Sequence, residues 1–122
     1  IEGSKWTNLR TRVAPEDEIV ETKKRLSIFY PTDLDFLLRN MGVRAVVFNG
    51  GFTDCCVLNA AFEASNLDYR VTVARDLVRG TNEEMEDAAL KMMSLHMALV
   101  MDSEDILSAW DGHGATSREA AE

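Results

Sequence analysis

With 122 residues, 46% of them hydrophobic and 28% charged, the chain has material for one compact core and too little for two. A formal net charge of −8 speaks against nucleic acid and against anionic membrane surfaces, whose phosphates would repel it. The two cysteines are adjacent, so there is neither a disulfide framework nor a zinc-ligand spacing, and a reducing, cytoplasmic setting is expected.

The opening stretch, "IEGSKWTNLRTRVAPEDE", is polar and turn-like, lacks an initiator Met and does not read as the start of a domain. Trp6 within it has no role that the sequence decides. "EIVET" (Glu18 to Thr22) reads as a short strand. "TDLDFLLRNMG" reads as a helix: Thr32 is placed to cap it with Asp35 three residues on, and Leu34, Leu37, Leu38 and Met41 share a face. Gly42 is its expected stop. "RAVVFN" (Arg44 to Asn49) is a continuous apolar run of the kind buried in parallel sheets.

"GGFTDCCV" follows, and then a helix, "LNAAFEAS", with Val57, Ala60, Ala61 and Ala64 on one face, small enough for close approach to a sheet. "YRVTVA" (Tyr69 to Ala74) is the next predicted strand. "TNEEMEDAALKMMSLH" is the next helix, with Thr81 and Glu84 as a capping box, acids suited to the helix dipole, and Met85, Met92 and Met93 at core spacing. His96 at its end is read as a packing or capping residue. "MALVM" (Met97 to Met101) is a strand and "SEDILSAW" (Ser103 to Trp110) a helix. Residues 111–122, including His113, are expected to form a mobile tail.

Strands alternating with helices predict an α/β fold, a parallel sheet with helices on its faces and right-handed crossovers. In such sheets chemistry collects beyond the carboxyl ends of the strands, and "GGFTDCCV" lies at one. Gly50 and Gly51 permit backbone conformations closed to other residues. Thr53 or Asp54 is placed to cap the helix. Cys55 and Cys56 then fall in its first turn, where unpaired N–H groups and the dipole favour a thiolate. On these grounds alone the pair is a nucleophile site or two small buried residues, since free cysteine is among the most buried residue types.

"NGGFTDCCVLNAAFEASNLDYRVTVARD" resembles the nucleophile segment of the isochorismatase-like cysteine hydrolases, which include nicotinamidases, N-carbamoylsarcosine amidohydrolase and the biuret and ureidoacrylate hydrolases. Gly50, Thr53, Asp54, Cys56 and Val57 fit the family's pattern in order, so Cys56 takes the nucleophile's place and Cys55 a variable one. "KKRLSIFYPTDLDFLLRNMGV" is similar to the family's lysine segment. Counted back from Ser27 and Phe29, Lys23 takes the place of the catalytic lysine and Lys24 is its neighbour.

The resemblance implies an isochorismatase-like, Rossmann-like, three-layer αβα fold and an amidohydrolase acting on a C–N bond other than a peptide bond. The substrate would be a small amide, ureide or carbamoyl compound, cleaved through a thioester on Cys56. Isochorismate is disfavoured, because the enzymes that hydrolyse it lack the cysteine. It further implies a cis peptide between Gly51 and Phe52, an oxyanion hole from the Phe52 and Cys56 N–H groups, and Phe29 and Phe52 near the substrate.

The family's catalytic Asp, which ends its first strand, has no counterpart. Upstream of Lys23 stand only Glu2, Glu16, Asp17, Glu18 and Glu21, none after an apolar strand. Residues 1–122 are therefore expected to be the C-terminal part of a single domain, with the N-terminal strands and the Asp supplied by a missing segment or a partner chain, in a homo-oligomer. No cofactor or metal is expected on this chain; a divalent metal would take ligands from the missing segment. Two other readings stand beside the hydrolase: a non-catalytic relative or interaction subunit, and a redox protein using the vicinal thiols.

Overall fold

The computed structural model describes residues 12–20 and 23–119. Trp6, and Glu21 and Thr22 of the first expected strand, lie outside them; Glu18 to Val20 are not in a strand.

Three strands form one sheet in the order β1 (Ala45–Gly51), β2 (Arg70–Arg79), β3 (Ala98–Met101). Both pairings are parallel, with Val46 opposite Val71, Phe48 opposite Val73, and Val73 opposite Val100. Parallel neighbours cannot be joined by a hairpin. Helix α2 (Leu58–Asn66) therefore carries the chain from β1 to β2, and α3 (Glu83–His96) from β2 to β3. Helix α1 (Leu34–Asn40) precedes the sheet and α4 (Ser103–Glu119) follows it.

Side chains alternate across a strand. Val46, Phe48, Val71 and Val73 pack with Ala61 and Ala64 of α2 and Ala89, Leu90 and Met93 of α3. Val47 and Ala74 face the other way and, with Leu107 and Trp110 of α4, line a groove. Helices thus cover both faces, and the fold is three-layered α/β. Ala61, Ala64 and Met93 are fully buried; alanine on α2 lets the helix lie close to the sheet, and Met93 fills the space opposite.

Several local expectations give way to tertiary contacts. Met85 and Met92 are exposed and only Met93 is core, because the buried face of α3 runs through Ala89, Leu90 and Met93, about 100° away from the other two. The cap of α3 is Asn82, which accepts from Met85 N–H at 2.9 Å; Thr81 is engaged elsewhere. At α1, Thr32 Oγ1 accepts weakly from Leu34 N–H at 3.3 Å, while Asp35 turns to Arg39 and to Tyr69 Oη and forms no box. The helix stop is of the Schellman type: Gly42 (φ 71°) donates to Arg39 O and Val43 N–H to Leu38 O. α1 buries no residue fully and leaves Phe36 73% exposed. "RAVVFN" is correspondingly only half-buried: among the described residues, no strand pairs with the free edge of β1. His96 ends α3 in an exposed position.

β2 runs five residues past the expected Ala74. Between the Phe48–Val73 and Gly50–Val78 pairs the register slips, so Ala74 to Leu77 form a bulge opposite Asn49 alone. The bulge carries Arg75 to Asp102 (2.7 Å) and Asp76 to Ser103, whose N–H and hydroxyl donate to the two carboxylate oxygens at 2.8 and 2.6 Å. α4 starts there and continues to Glu119. Gly112 and Gly114 do not end it at Trp110.

The Ser103 hydroxyl, and next its backbone N–H, hold the Asp76 carboxyl below the usual aspartate value. The Tyr69 hydroxyl does the same for Asp35 and the Thr81 hydroxyl for Asp54. A depressed folded value means that the unfolded chain binds more protons below about pH 3.9. This stability is complete above that value and is lost as pH falls through the folded one. The melting temperature should therefore drop on acidification below about pH 4. Asp76→Asn should lower it at neutral pH and flatten the acid limb; a melting curve for Asp76→Asn that tracks the parent at every pH would contradict the linkage.

Candidate active site

β1 delivers the chain into a turn that needs glycine twice. Gly50 has φ 100°, a region L-residues rarely enter. At Gly51 a Cβ would sit 3.2 Å from Arg79 O of the neighbouring strand. The Gly51–Phe52 peptide bond is cis. Thr53–Val57 then form a π-turn, not the first turn of an α-helix. The Phe52 carbonyl accepts from Cys55 N–H and Val57 N–H, each at 3.1 Å, and passes over Cys56. π-turns inside helices recur at functional sites.

Neither expected cap acts as one. The Thr53 hydroxyl is buried without a hydrogen-bond partner. Asp54 reaches away from the turn to the loop after β2, where Thr81 N–H and Thr81 Oγ1 donate to its two oxygens at 2.7 Å each. Two donors on one loop hold a carboxylate better than a single helix-end N–H. From the other side, Glu86 Oε2 accepts from Gly80 N–H at 2.6 Å. The loop is thus clasped between two carboxylates.

The two cysteines differ in their neighbours. Cys56 Sγ lies 3.7 Å from Lys23 Nζ, which also donates to Arg25 O at 2.6 Å. Burial, then the adjacent Cys56 and the Asp54 carboxylate, push the Cys55 thiol up, so Cys55 stays protonated at neutral pH. Lys24 gives its carbonyl to Arg25 and takes no part in the thiol contact. Among the described residues, no carboxylate hydrogen-bonds to Cys56, and no three His, Cys, Asp or Glu side chains converge as a metal would need.

Cys56 and Lys23 border a cavity of about 150 Å³, completed by Ile28, Phe48, Asn49, Gly51, Val57 and Ala60. Phe29 and Phe52 do not line it. Phe29 stacks on Tyr69, centroids 6.2 Å apart, because the turn at 27–30 sends Ile28 to the cavity and its neighbour to the core. Phe52 is 57% exposed. Of the residues that the sequence reading missed, Ala60 was legible as the position one turn beyond Cys56 and Asn49 as the last residue before the glycines; Ile28 carried no signal.

The site thus brings together a thiol, an ammonium group and the start of a helical segment, in a small and mainly apolar cavity. The Isochorismatase domain profile matches residues 1–105. Nicotinamidase 3 of Arabidopsis thaliana is 31% identical over 98 residues, 80% of this chain and 49% of that protein. An isochorismatase-like hydrolase from Alkaliphilus metalliredigens superposes with a TM-score of 0.70 at 32% identity, over 81% of this chain and 57% of its own. N-carbamoylsarcosine amidase from Thermoplasma acidophilum does so with 0.64 at 32% identity, over 75% and 51%. The chain spans about half the length of the curated relatives it matches.

The clasp leaves no room at Gly80, where a Cβ would meet Glu86 Cβ at 2.8 Å and Asp54 Oδ1 at 2.9 Å. Gly80→Ala should cost about 1–3 kcal/mol by forced displacement, read from the midpoint of urea unfolding. An unchanged midpoint would show that the loop yields freely and that the clasp is slack.

Proposed function

The chain belongs to the isochorismatase family, and we propose that it is the nucleophile-bearing part of a cysteine hydrolase that cleaves a small amide, ureido or carbamoyl C–N bond. The observation that carries this reading is the 3.7 Å approach of Lys23 Nζ to Cys56 Sγ inside a cavity at the carboxyl end of β1. An ammonium group beside sulfur favours the thiolate by Coulomb attraction, and the thiolate is the nucleophilic form. The names of nicotinamidase 3 and N-carbamoylsarcosine amidase support amide and carbamoyl carbonyls as the substrate class.

In this mechanism a carboxylate takes the Cys56 proton and the sulfur attacks the carbonyl carbon. The oxyanion that forms is met by the N–H groups of Phe52 and Cys56, the second of which is passed over by the Phe52 carbonyl. The carboxylic acid returns the proton to the nitrogen, the C–N bond breaks, and the amine leaves a thioester on Cys56 that water cleaves. No described carboxylate contacts the thiol, so the base is assigned to residues outside those described. The remaining strands of the sheet are assigned to the open edge of β1, supplied by a further segment or a partner chain in a homo-oligomer. The two free cysteines support a reducing cytoplasm.

In the full-length hydrolase Cys56→Ala should abolish turnover, and Cys55→Ala should keep most of it. Lys23→Ala should slow acylation, and alkylation of Cys56 by iodoacetamide at neutral pH, by about 100-fold, with Lys24→Ala nearly silent. A dead Cys55→Ala variant, or a Lys23→Ala variant alkylated at the parental rate, would remove the assignment. Residues 1–122 expressed alone should hydrolyse no simple amide or urea at an enzymatic rate. The reason is that an unprotonated amine is a poor leaving group and the intermediate reverts. Normal turnover by that chain would require a base among Asp17, Glu18 and Glu21 and would refute the assignment of the base elsewhere.

A further inference from the structure

Cys56 and Glu63 lie on one continuous helical stretch, the π-turn running directly into α2. They are seven residues, about two turns, apart, so their side chains leave on the same side, with the cavity residue Ala60 between them. Opposite them runs a segment with neither helix nor strand, on which Lys23 and Ser27 are four residues apart. Two contacts join the pair of segments like rungs. Lys23 Nζ meets Cys56 Sγ at 3.7 Å, and Ser27 Oγ donates to Glu63 Oε1 at 2.7 Å.

The second rung is more than a surface hydrogen bond. Ser27 Oγ also accepts from Phe29 N–H at 3.1 Å and Tyr30 N–H at 2.7 Å, so one hydroxyl ties the whole turn. Thr32 closes it, donating from its hydroxyl to Ile28 O and from its N–H to Phe29 O. Glu63 Oε2, the other oxygen, is buried without a hydrogen-bond partner. Leaving such an oxygen dry is unfavourable, so the 2.7 Å bond from Ser27 is what holds this side chain among the described residues. Among the described residues, the other hydrogen-bond partner of the Lys23 ammonium group is Arg25 O. We propose that Glu63 and Ser27 are positioning residues for Lys23: the Glu63 carboxylate grips Ser27, sets the turn that makes Ile28 a cavity wall, and holds the lysine segment where its ammonium group meets Cys56. The proposal rests on the roles given above to Cys56 and Lys23.

The test is the iodoacetamide alkylation rate of Cys56 and of Cys55, read separately by peptide mass spectrometry in the full-length protein. Ser27→Ala and Glu63→Ala should each slow Cys56 by about tenfold or more, toward the Lys23→Ala rate, while Cys55, which reports local folding, keeps its rate. Glu63→Gln retains an oxygen for Ser27 and should restore most of the loss. Glu63→Ala added to Lys23→Ala should slow Cys56 no further. Parental Cys56 rates in Ser27→Ala and Glu63→Ala, with Lys23→Ala slow, overturn the positioning role and leave the hydrolase reading standing. A parental rate in Lys23→Ala overturns both. Equal changes at both cysteines in Glu63→Ala, with Ser27→Ala silent, mark a general loosening and also overturn it.

Discussion

Parallel pairing of β1 with β2, and of β2 with β3, is the constraint on which the rest of this molecule depends. Strands that run the same way put their carboxyl ends along one edge of the sheet. The loops that leave those ends, at Gly51, Arg79 and Met101, are therefore neighbours although they are far apart in sequence. The polar contacts follow from this. Asp54 reaches Thr81, Asp76 reaches Ser103 and Arg75 reaches Asp102, each across 27 residues, which is one strand-and-helix unit. Each ties one loop to the next, so the π-turn that carries Cys56 is braced from the side and not only through its own helix.

These ties are exposed, where water competes for the same polar groups, so they add little to stability. Their part is to orient. Stability comes from the layer between sheet and helices, where Val71, Val73 and Val78 meet Ala61, Ala64, Ala89 and Met93. Small residues on α2 bring it against the sheet, and that approach sets where the sulfur of Cys56 emerges. Packing and chemistry are linked through one helix: Ala61 and Ala64 face the core, whereas Ala60 and Glu63, on the neighbouring flank, meet the cavity and the lysine segment.

The vicinal thiols show how neighbours separate two chemically identical groups. Partial burial of Cys55, then the adjacent Cys56 and the Asp54 carboxylate, disfavour its thiolate. Cys56 faces an ammonium group. The two thiols are one residue apart along the backbone and still differ in the charged group each one meets.

The α/β class and three of the strands are legible from local pattern, because "RAVVFN", "YRVTVA" and "MALVM" are short apolar runs separated by helical periodicity. So are the helix stop at Gly42 and the glycine turn before the cysteines, since positive φ selects glycine whatever surrounds it. The caps depend on packing. Thr81 and Asp54 each read as a helix start, and each prefers the other across the sheet edge. Packing also puts Met85 and Met92 outside, turns Ile28 rather than Phe29 to the cavity, and brings Glu63 to Ser27. Such choices rest on contacts between residues far apart in the chain, and a side chain with several possible partners takes the one that the packed backbone brings within reach.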